Sequence, residues 1–245
     1  MADDTGPLRG HRIGQPATRI EGALKVTGAA RFASDEAPAN PAYAVLVTSS
    51  IARGRIRGMQ LDAARAVPGV LDILTHANVG SEIKPPVGPD QGPTTGTLET
   101  DQIWHDGQII GIVLADTFEA AQEAAASVVV DYAPEPPSAT FDSPGAETEP
   151  KKENPQSPPP AKGDAAGAFA AAPVKVDVRY STPTQHHNPM ELFTTTCVWE
   201  GPRLIIYEPT QSMYGLKGAV AKQLGLDLAN VRTISRYVGG GFGSR

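Results

Sequence analysis

Cysteine is almost missing from this chain of 245 residues: Cys197 is the only one. A single thiol forms no intrachain disulfide, and neither a zinc site nor an iron–sulfur cluster can be assembled from local thiolates. Any iron–sulfur chemistry therefore belongs to another chain. Long apolar runs are missing as well, with none approaching the ~18 residues of a membrane span. The opening residues, Met1-Ala2-Asp3-Asp4-Thr5-Gly6-Pro7, hold two acids, no early base and no apolar stretch, unlike a cleavable secretory signal. The expectation is a cytoplasmic chain with no membrane or nucleic-acid partner, reaching the periplasm only if a partner with a signal carries it there. No motif joins a nucleophile, a base and an orienting acid either.

What the chain does have is unevenly spread. The net charge of -6 divides into 10 Lys+Arg against 20 Asp+Glu over residues 1–150 and 11 against 7 over residues 151–245. Between these regions, residues 134–160 carry nine prolines with Glu, Ser, Lys and Gly between them. Proline removes backbone donors and favours extended conformers, so this stretch cannot build a core and reads as a linker. Two modules are expected, the second mildly basic, which suits an anionic ligand such as a phosphate, although a solvated face is the plainer reading of so small a charge.

The first module reads as mixed α and β. Residues 43–48, 70–75 and 109–114 are short apolar runs of strand length, and residues 62–67 form a short helix stopped by Pro68-Gly69. Asp116 and Glu119 have capping-box spacing ahead of the alanine-rich run 120–126, and residues 127–132 return to strand character, giving a strand–helix–strand unit of crossover length. In the second module, residues 174–180 alternate with period two and predict a half-buried strand. Residues 194–200 and 203–208 predict an antiparallel pair joined at Gly201-Pro202. Ser212 can cap a helix with Met213, Leu216, Val220 and Leu224 on one face, stopped by Gly225 with Leu226 beyond. A strand over 231–238 then runs into Gly239-Gly240-Gly241-Phe242-Gly243, the most glycine-dense segment of the chain.

Such a loop exposes consecutive backbone N–H groups that can bind phosphate or oxo oxygens. Its pattern is neither the dinucleotide fingerprint nor a phosphate-binding loop with its lysine, so ligand contact and a simple turn or tail both stay open. Gln211, where a strand ends and a helix begins, can donate and accept at once, which suits an oxo or hydroxo ligand; a capping or solvated amide is the plainer role. Gln185-His186-His187-Asn188-Pro189-Met190-Glu191 has no carboxylate-rich or thiolate surroundings for zinc, and with Asn188-Pro189 forcing an extended turn it reads as a loop that hydrogen-bonds through its imidazoles. Cys197, mid-strand, reads as a buried inert thiol.

Three spaced segments, Gln185 to Glu191, Pro209-Thr210-Gln211, and Val238-Gly239-Gly240-Gly241-Phe242-Gly243-Ser244-Arg245, resemble in order the start of the molybdenum-cofactor-binding subunit of the xanthine dehydrogenase and aldehyde oxidase family. Lys25-Val26-Thr27-Gly28-Ala29-Ala30-Arg31-Phe32, Pro68-Gly69-Val70 and Asp106-Gly107-Gln108 resemble that family's α/β-hammerhead domain, and Gly163-Asp164-Ala165-Ala166-Gly167-Ala168-Phe169 the join into its cofactor domain. The resemblance implies an α+β chain with a hammerhead domain over 14–134, a proline-rich linker over 135–162, and the first part of a mixed α/β molybdopterin-binding domain over 163–245. It implies a molybdenum hydroxylase that oxidises aldehydes or N-heterocycles with oxygen from water, working with an iron–sulfur subunit, an FAD subunit and the remainder of the molybdenum subunit. Gln211 would hydrogen-bond an oxygen ligand of the molybdenum–pterin cofactor, and the backbone of Gly241, Phe242 and Gly243 would line the oxo side, with no residue a direct metal ligand. The family's glutamate base falls beyond Arg245, so no catalytic residue is expected here and the chain alone should be inactive. Arg245 stands where a lysine commonly follows the glycine motif, and Leu192-Phe193 where many bacterial relatives have Pro-His, which points to a different subgroup. From other classes, an interaction module docking on iron–sulfur or flavin partners, and a phosphate or nucleotide binder built on the glycine loop, are the alternative readings.

Overall fold

The computed structural model describes residues 16, 18–36, 38–80, 98–147 and 163–245. Helix α1 (Gly22–Val26) precedes β1 (Tyr43–Thr48), β2 (Gly54–Gln60), α2 (Asp62–Arg65), β3 (Val70–Thr75), β4 (Gln102–Ile103), β5 (Ile109–Ala115), α3 (Phe118–Ala126) and β6 (Val129–Pro134). There follow α4 (Ala165–Ala171), β7 (Thr196–Glu200), β8 (Arg203–Tyr207), α5 (Met213–Leu224) and β9 (Val231–Ile234). The fold is α+β. Met1–Pro134 and His187–Arg245 together form one compact unit and Glu135–His186 another. Of the segments read from sequence, residues 1–7, 14–15 and 148–162, with 17, 37 and 81–97 inside the first module, lie outside the described residues.

β1, β5 and β3 form an antiparallel sheet with β5 in the middle. Side chains alternate across a strand, and the register aligns Val45, Val113 and Ile73 on one face. Against that face lies α3, whose Ala120, Ala121 and Ala124 are buried; a methyl is small enough to let the helix close on Ala115, Val45 and Val70. The larger core joins Val47, Ile56, Ala64, Ile73, Ile103, Ile110 and Val113 between this sheet and the next.

The strand–helix–strand unit does not cross over within one sheet. β5 lies in the first sheet, while β6 pairs with β2 in a second sheet ordered β4-β2-β6. β2 is not among the strands expected from sequence: Arg55, Ile56 and Arg57 alternate, but the register with β6 shifts between Ile56 and Gly58 and breaks the period. That unread strand is what captures β6.

Nor does Asp116 cap α3. Thr117 occupies the cap, its hydroxyl accepting from the Ala120 N–H at 3.1 Å, while the Asp116 N–H donates to Gly69 O at 2.9 Å and its carboxylate lies against Gly69. Thr117→Ala should therefore lower stability by about 1 kcal/mol in urea unfolding, and Asp116→Asn by much less. The reverse order would restore the capping-box reading.

In the third sheet, β7 and β8 form the expected hairpin through Gly201-Pro202, and β8 pairs in parallel with β9 across α5. Here is the chain's true crossover. α5 stops at Gly225 in the left-handed region (φ 65°, ψ 30°), with the Leu226 N–H donating back to Ala221 O at 2.8 Å. Ala221 with Val220 and Leu226 packs on Leu204, Ile206 and Val231. Met213 and Leu224 stay exposed, so the helix is rotated from the face expected, and Ser212 holds the cap position without a side-chain cap bond. β9 ends at Ile234 rather than at residue 238, because β8 offers it no partner past Tyr207.

In the other unit, Asp164 caps α4 by accepting from the Gly167 N–H at 2.9 Å. Residues 174–180 are not a strand; Val174, Val176, Val178 and Tyr180 are all exposed. Alternation suits a strand, but a strand also needs a neighbour to complete its ladder, and this segment has none among the described residues.

Candidate functional site

Because β8 and β9 run parallel, their carboxyl ends emerge at the same edge of the sheet, where open α/β sheets commonly hold ligands. From β8 the chain passes through Pro209 and Thr210 to Gln211 and α5. From β9 it passes through Ser235–Val238 to the glycine loop. The Thr210 N–H donates to Ser235 Oγ at 3.3 Å and joins the two exits. The second exit is also held by the first module: Phe32 and Tyr237 ring centroids lie 5.5 Å apart, Lys25 Nζ sits 5.5 Å from the Tyr237 ring, and Arg236 reaches Glu36 at 3.4 Å. Between the exits is an open groove of about 380 Å³, bounded by Thr210–Tyr214 and Ser235–Val238.

The loop is folded onto two side chains. Gln211 Oε1 accepts from the Gly243 N–H at 3.2 Å, and a Cβ added at Gly241 would lie 2.4 Å from the same oxygen. Glu191 Oε2 accepts from the Gly239 N–H at 2.6 Å, and a Cβ at Gly239 would lie 2.4 Å from the Glu191 Cβ. Both positions exclude a side chain by close approach. Glu191 N–H donates to Gly239 O at 3.2 Å, and the Ser244 N–H and hydroxyl both donate to Gly241 O, at 2.9 and 2.6 Å.

Behind the loop lies an ion pair. Arg245 Nη1 donates to Glu191 Oε2 at 2.7 Å, Nη2 donates to the Glu191 carbonyl, and the guanidinium lies 4.6 Å from the Phe193 ring centroid. The side chains of Arg245 and Glu191 are only 1% and 7% exposed. Arg245 Nε and Glu191 Oε1 are buried without a hydrogen-bond partner.

Of the residues singled out in the sequence, Gln211, Gly241 and Gly243 are brought together; Phe242, at φ 53° and 73% exposed, projects at the loop's tip. In the sequence Glu191 is only the end of a motif, and its role as the loop's anchor is what sequence reasoning missed. It stands in the His186-His187 segment, whose contacts run through this carboxylate and not through the imidazoles as expected. Its partner lies 54 residues away, beyond any local signal. Among the described residues, no three His, Cys, Asp or Glu side chains gather as a metal site. Cys197 is exposed, not buried: it faces outward from β7, a strand at the edge of its sheet. Partial desolvation and the Glu208 carboxylate push its thiol pKa up.

A two-sheet α+β module followed by a β–α–β crossover with a glycine loop on its carboxyl edge defines a class, and comparison with known proteins agrees. Residues 27–136 match the aldehyde oxidase and xanthine dehydrogenase a/b hammerhead domain, and residues 148–245 match the molybdopterin cofactor-binding domain. The chain belongs to the xanthine dehydrogenase and aldehyde oxidase family. It is 38% identical over 237 residues to the aldehyde oxidoreductase molybdenum-binding subunit PaoC of Escherichia coli K12, covering 95% of this chain and 31% of that protein. With an indole-3-acetaldehyde oxidase of Arabidopsis thaliana the identity is 28%, over 95% of this chain and 18% of that one. Among solved structures, quinoline 2-oxidoreductase from Pseudomonas putida 86 superposes with a TM-score of 0.77 at 22% identity, covering 94% of this chain and 31% of that one. Aldehyde oxidoreductase from Desulfovibrio gigas gives 0.70 at 23%, covering 92% and 27%. These two likenesses show the fold. The chain thus spans about a third, or less, of the length of these relatives. Among the described residues, no helix is long and apolar enough to cross a membrane.

Proposed function

We propose that this chain contributes one wall of the molybdenum–pterin site of a molybdenum hydroxylase acting on aldehydes or N-heterocycles. The observation that carries this reading is the convergence of Gln211 with Gly241 and Gly243 on the carboxyl edge of β8 and β9. The local chemistry fits the group. With its Oε1 turned to the Gly243 N–H, the Gln211 amide nitrogen is free to donate to an oxygen ligand, and backbone from Gly241 to Gly243 lines the same side. The space a Cβ would fill at Gly241 keeps that backbone close to Gln211. Donors fixed before an anionic group arrives stabilise it without reorganisation.

When bound, the molybdenum–pterin group supplies the redox chemistry of the oxidation. This chain's part is to hold and orient. Gln211 fixes the oxygen side, Glu191 and Arg245 hold the loop at its required approach, and the Phe32–Tyr237 contact keeps the second exit in place. No residue of the 245 is assigned as the base. In this reading 14–134 is the hammerhead domain, 135–162 a linker and 163–245 part of the cofactor domain. A 2Fe–2S cluster and FAD on partner chains would accept the electrons in this reading, in the cytoplasm. The polypeptide purified alone should carry no molybdenum and show no aldehyde-dependent dye reduction. Stoichiometric metal with dye reduction, and no other chain present, would overturn the one-wall reading.

A further inference from the structure

The sheet of β1, β5 and β3 has two apolar faces, and α3 packs on only one of them. By register, Leu46, Ile112 and Leu74 form one row of the opposite face, and Ala44, Leu114 and Asp72 the next. Leu46 is 50% exposed, and Leu71, at the bulge in β3, is 62% exposed. An antiparallel sheet that leaves one face to water ordinarily makes that face polar. Here Asp72 is the one charged residue in those two rows.

The sheet's end continues the surface. Where β1 and β3 begin and β5 ends, an open groove of about 550 Å³ is lined by Tyr43, Leu71 and Phe118 together with Asp116 and Glu119. Charge here has one sign: β1, β3, β5 and α3 contain no lysine or arginine, and neither does any residue from 101 to 147.

We propose that this face and groove form a docking surface for a partner protein presenting an apolar stripe flanked by lysine or arginine. The apolar rows match the stripe, and Asp72, Asp116 and Glu119 match the flanking bases. A second copy of this chain fits poorly, since a symmetric contact would bring like acids together. An anionic lipid surface is repelled by the same acids. The inference rests on the hammerhead module alone and is independent of the molybdenum reading.

The test uses the full chain and a fluorescein-labelled, end-blocked helical peptide of leucine and lysine, with leucines at i, i+3, i+4 spacing. Its counterpart carries glutamate in place of lysine. Fluorescence anisotropy should show the lysine peptide binding at least about tenfold tighter than the glutamate peptide. Leu46→Lys and Glu119→Lys should each weaken it by about tenfold. Both positions are already exposed, so the urea midpoint should move little for Leu46→Lys, and fall only slightly for Glu119→Lys, which reverses the acid in the first turn of α3. Absence of lysine-peptide binding, equal binding of the two peptides, or unchanged binding by both variants would each overturn the proposal. So would a concentration-dependent dimer in sedimentation that Leu46→Lys abolishes, which would assign the face to a second copy.

Discussion

Glu191→Ala is expected to destabilise the unit that carries the glycine loop by about 3–5 kcal/mol, the loss typical of removing one partner of a buried ion pair. Glu191 holds both ends of the loop, accepting from the Gly239 N–H and from Arg245, whose side chain is almost fully covered. Without the carboxylate, the guanidinium is left charged, buried and short of acceptors. Glu191→Gln should lose less, because an amide oxygen still accepts from Gly239. Removing both charges in Glu191→Leu with Arg245→Met should recover much of the loss, since no unpaired ion remains. Urea unfolding gives the energies, and amide exchange at Gly239 reports the loop itself. A loss near ~0.5 kcal/mol for Glu191→Ala would mean that the pair behaves as a solvated surface bridge. The loop would then need another anchor.

Gly54→Ala should be comparably damaging, by about 2–5 kcal/mol, for a steric reason. Gly54 opens β2 at φ 145°, and an added Cβ would lie 2.3 Å from Ala133 O and 3.0 Å from Pro134 Cα. Both are backbone atoms of β6, paired with β2 at this point. They cannot retreat without breaking the ladder on which the second sheet depends. Gly54 also faces Ile103 of β4, and its carbonyl accepts from Gln102 Nε2 at 2.7 Å. Gly107→Ala is the control: its φ of 75° is left-handed too, but a Cβ there meets nothing within 4 Å. That substitution should lose only ~1–2 kcal/mol from backbone strain. Equal losses at the two sites, read from urea midpoints, would show that contact with β6 does not decide the outcome. Against a typical total of ~5–15 kcal/mol, the larger loss should also appear as poor soluble yield.

Both predictions depend on contacts between residues distant in sequence, and that is where sequence reading was weakest. β1 and β3 fall on residues 43–48 and 70–75 as expected, because each is an apolar run closed by turn residues. The β7–β8 hairpin and the Gly225 stop were legible for the same local reason. β2 was not, since its apolar positions are interrupted by arginines and a glycine at the bulge. Residues 174–180 carry the better strand pattern, yet form none among the described residues.

The candidate site divides in the same way. Gln211 and the glycine loop stood out by motif, whereas Glu191 as the loop's anchor did not. Its hydrogen bond to Gly239 spans 48 residues, and no local spacing encodes it.

From the amino-acid sequence alone come the family, the α+β class, most of the strands, and the exclusion of disulfides and local thiolate clusters. These depend on residue type and on patterns a few residues long. The tertiary structure decided which strands share a sheet, that the crossover lies in β8–α5–β9, that Cys197 is exposed, and that Glu191 holds the loop. Those outcomes follow from chain closures over tens of residues. Their entropy grows only slowly with length, so many pairings compete, and packing selects among them.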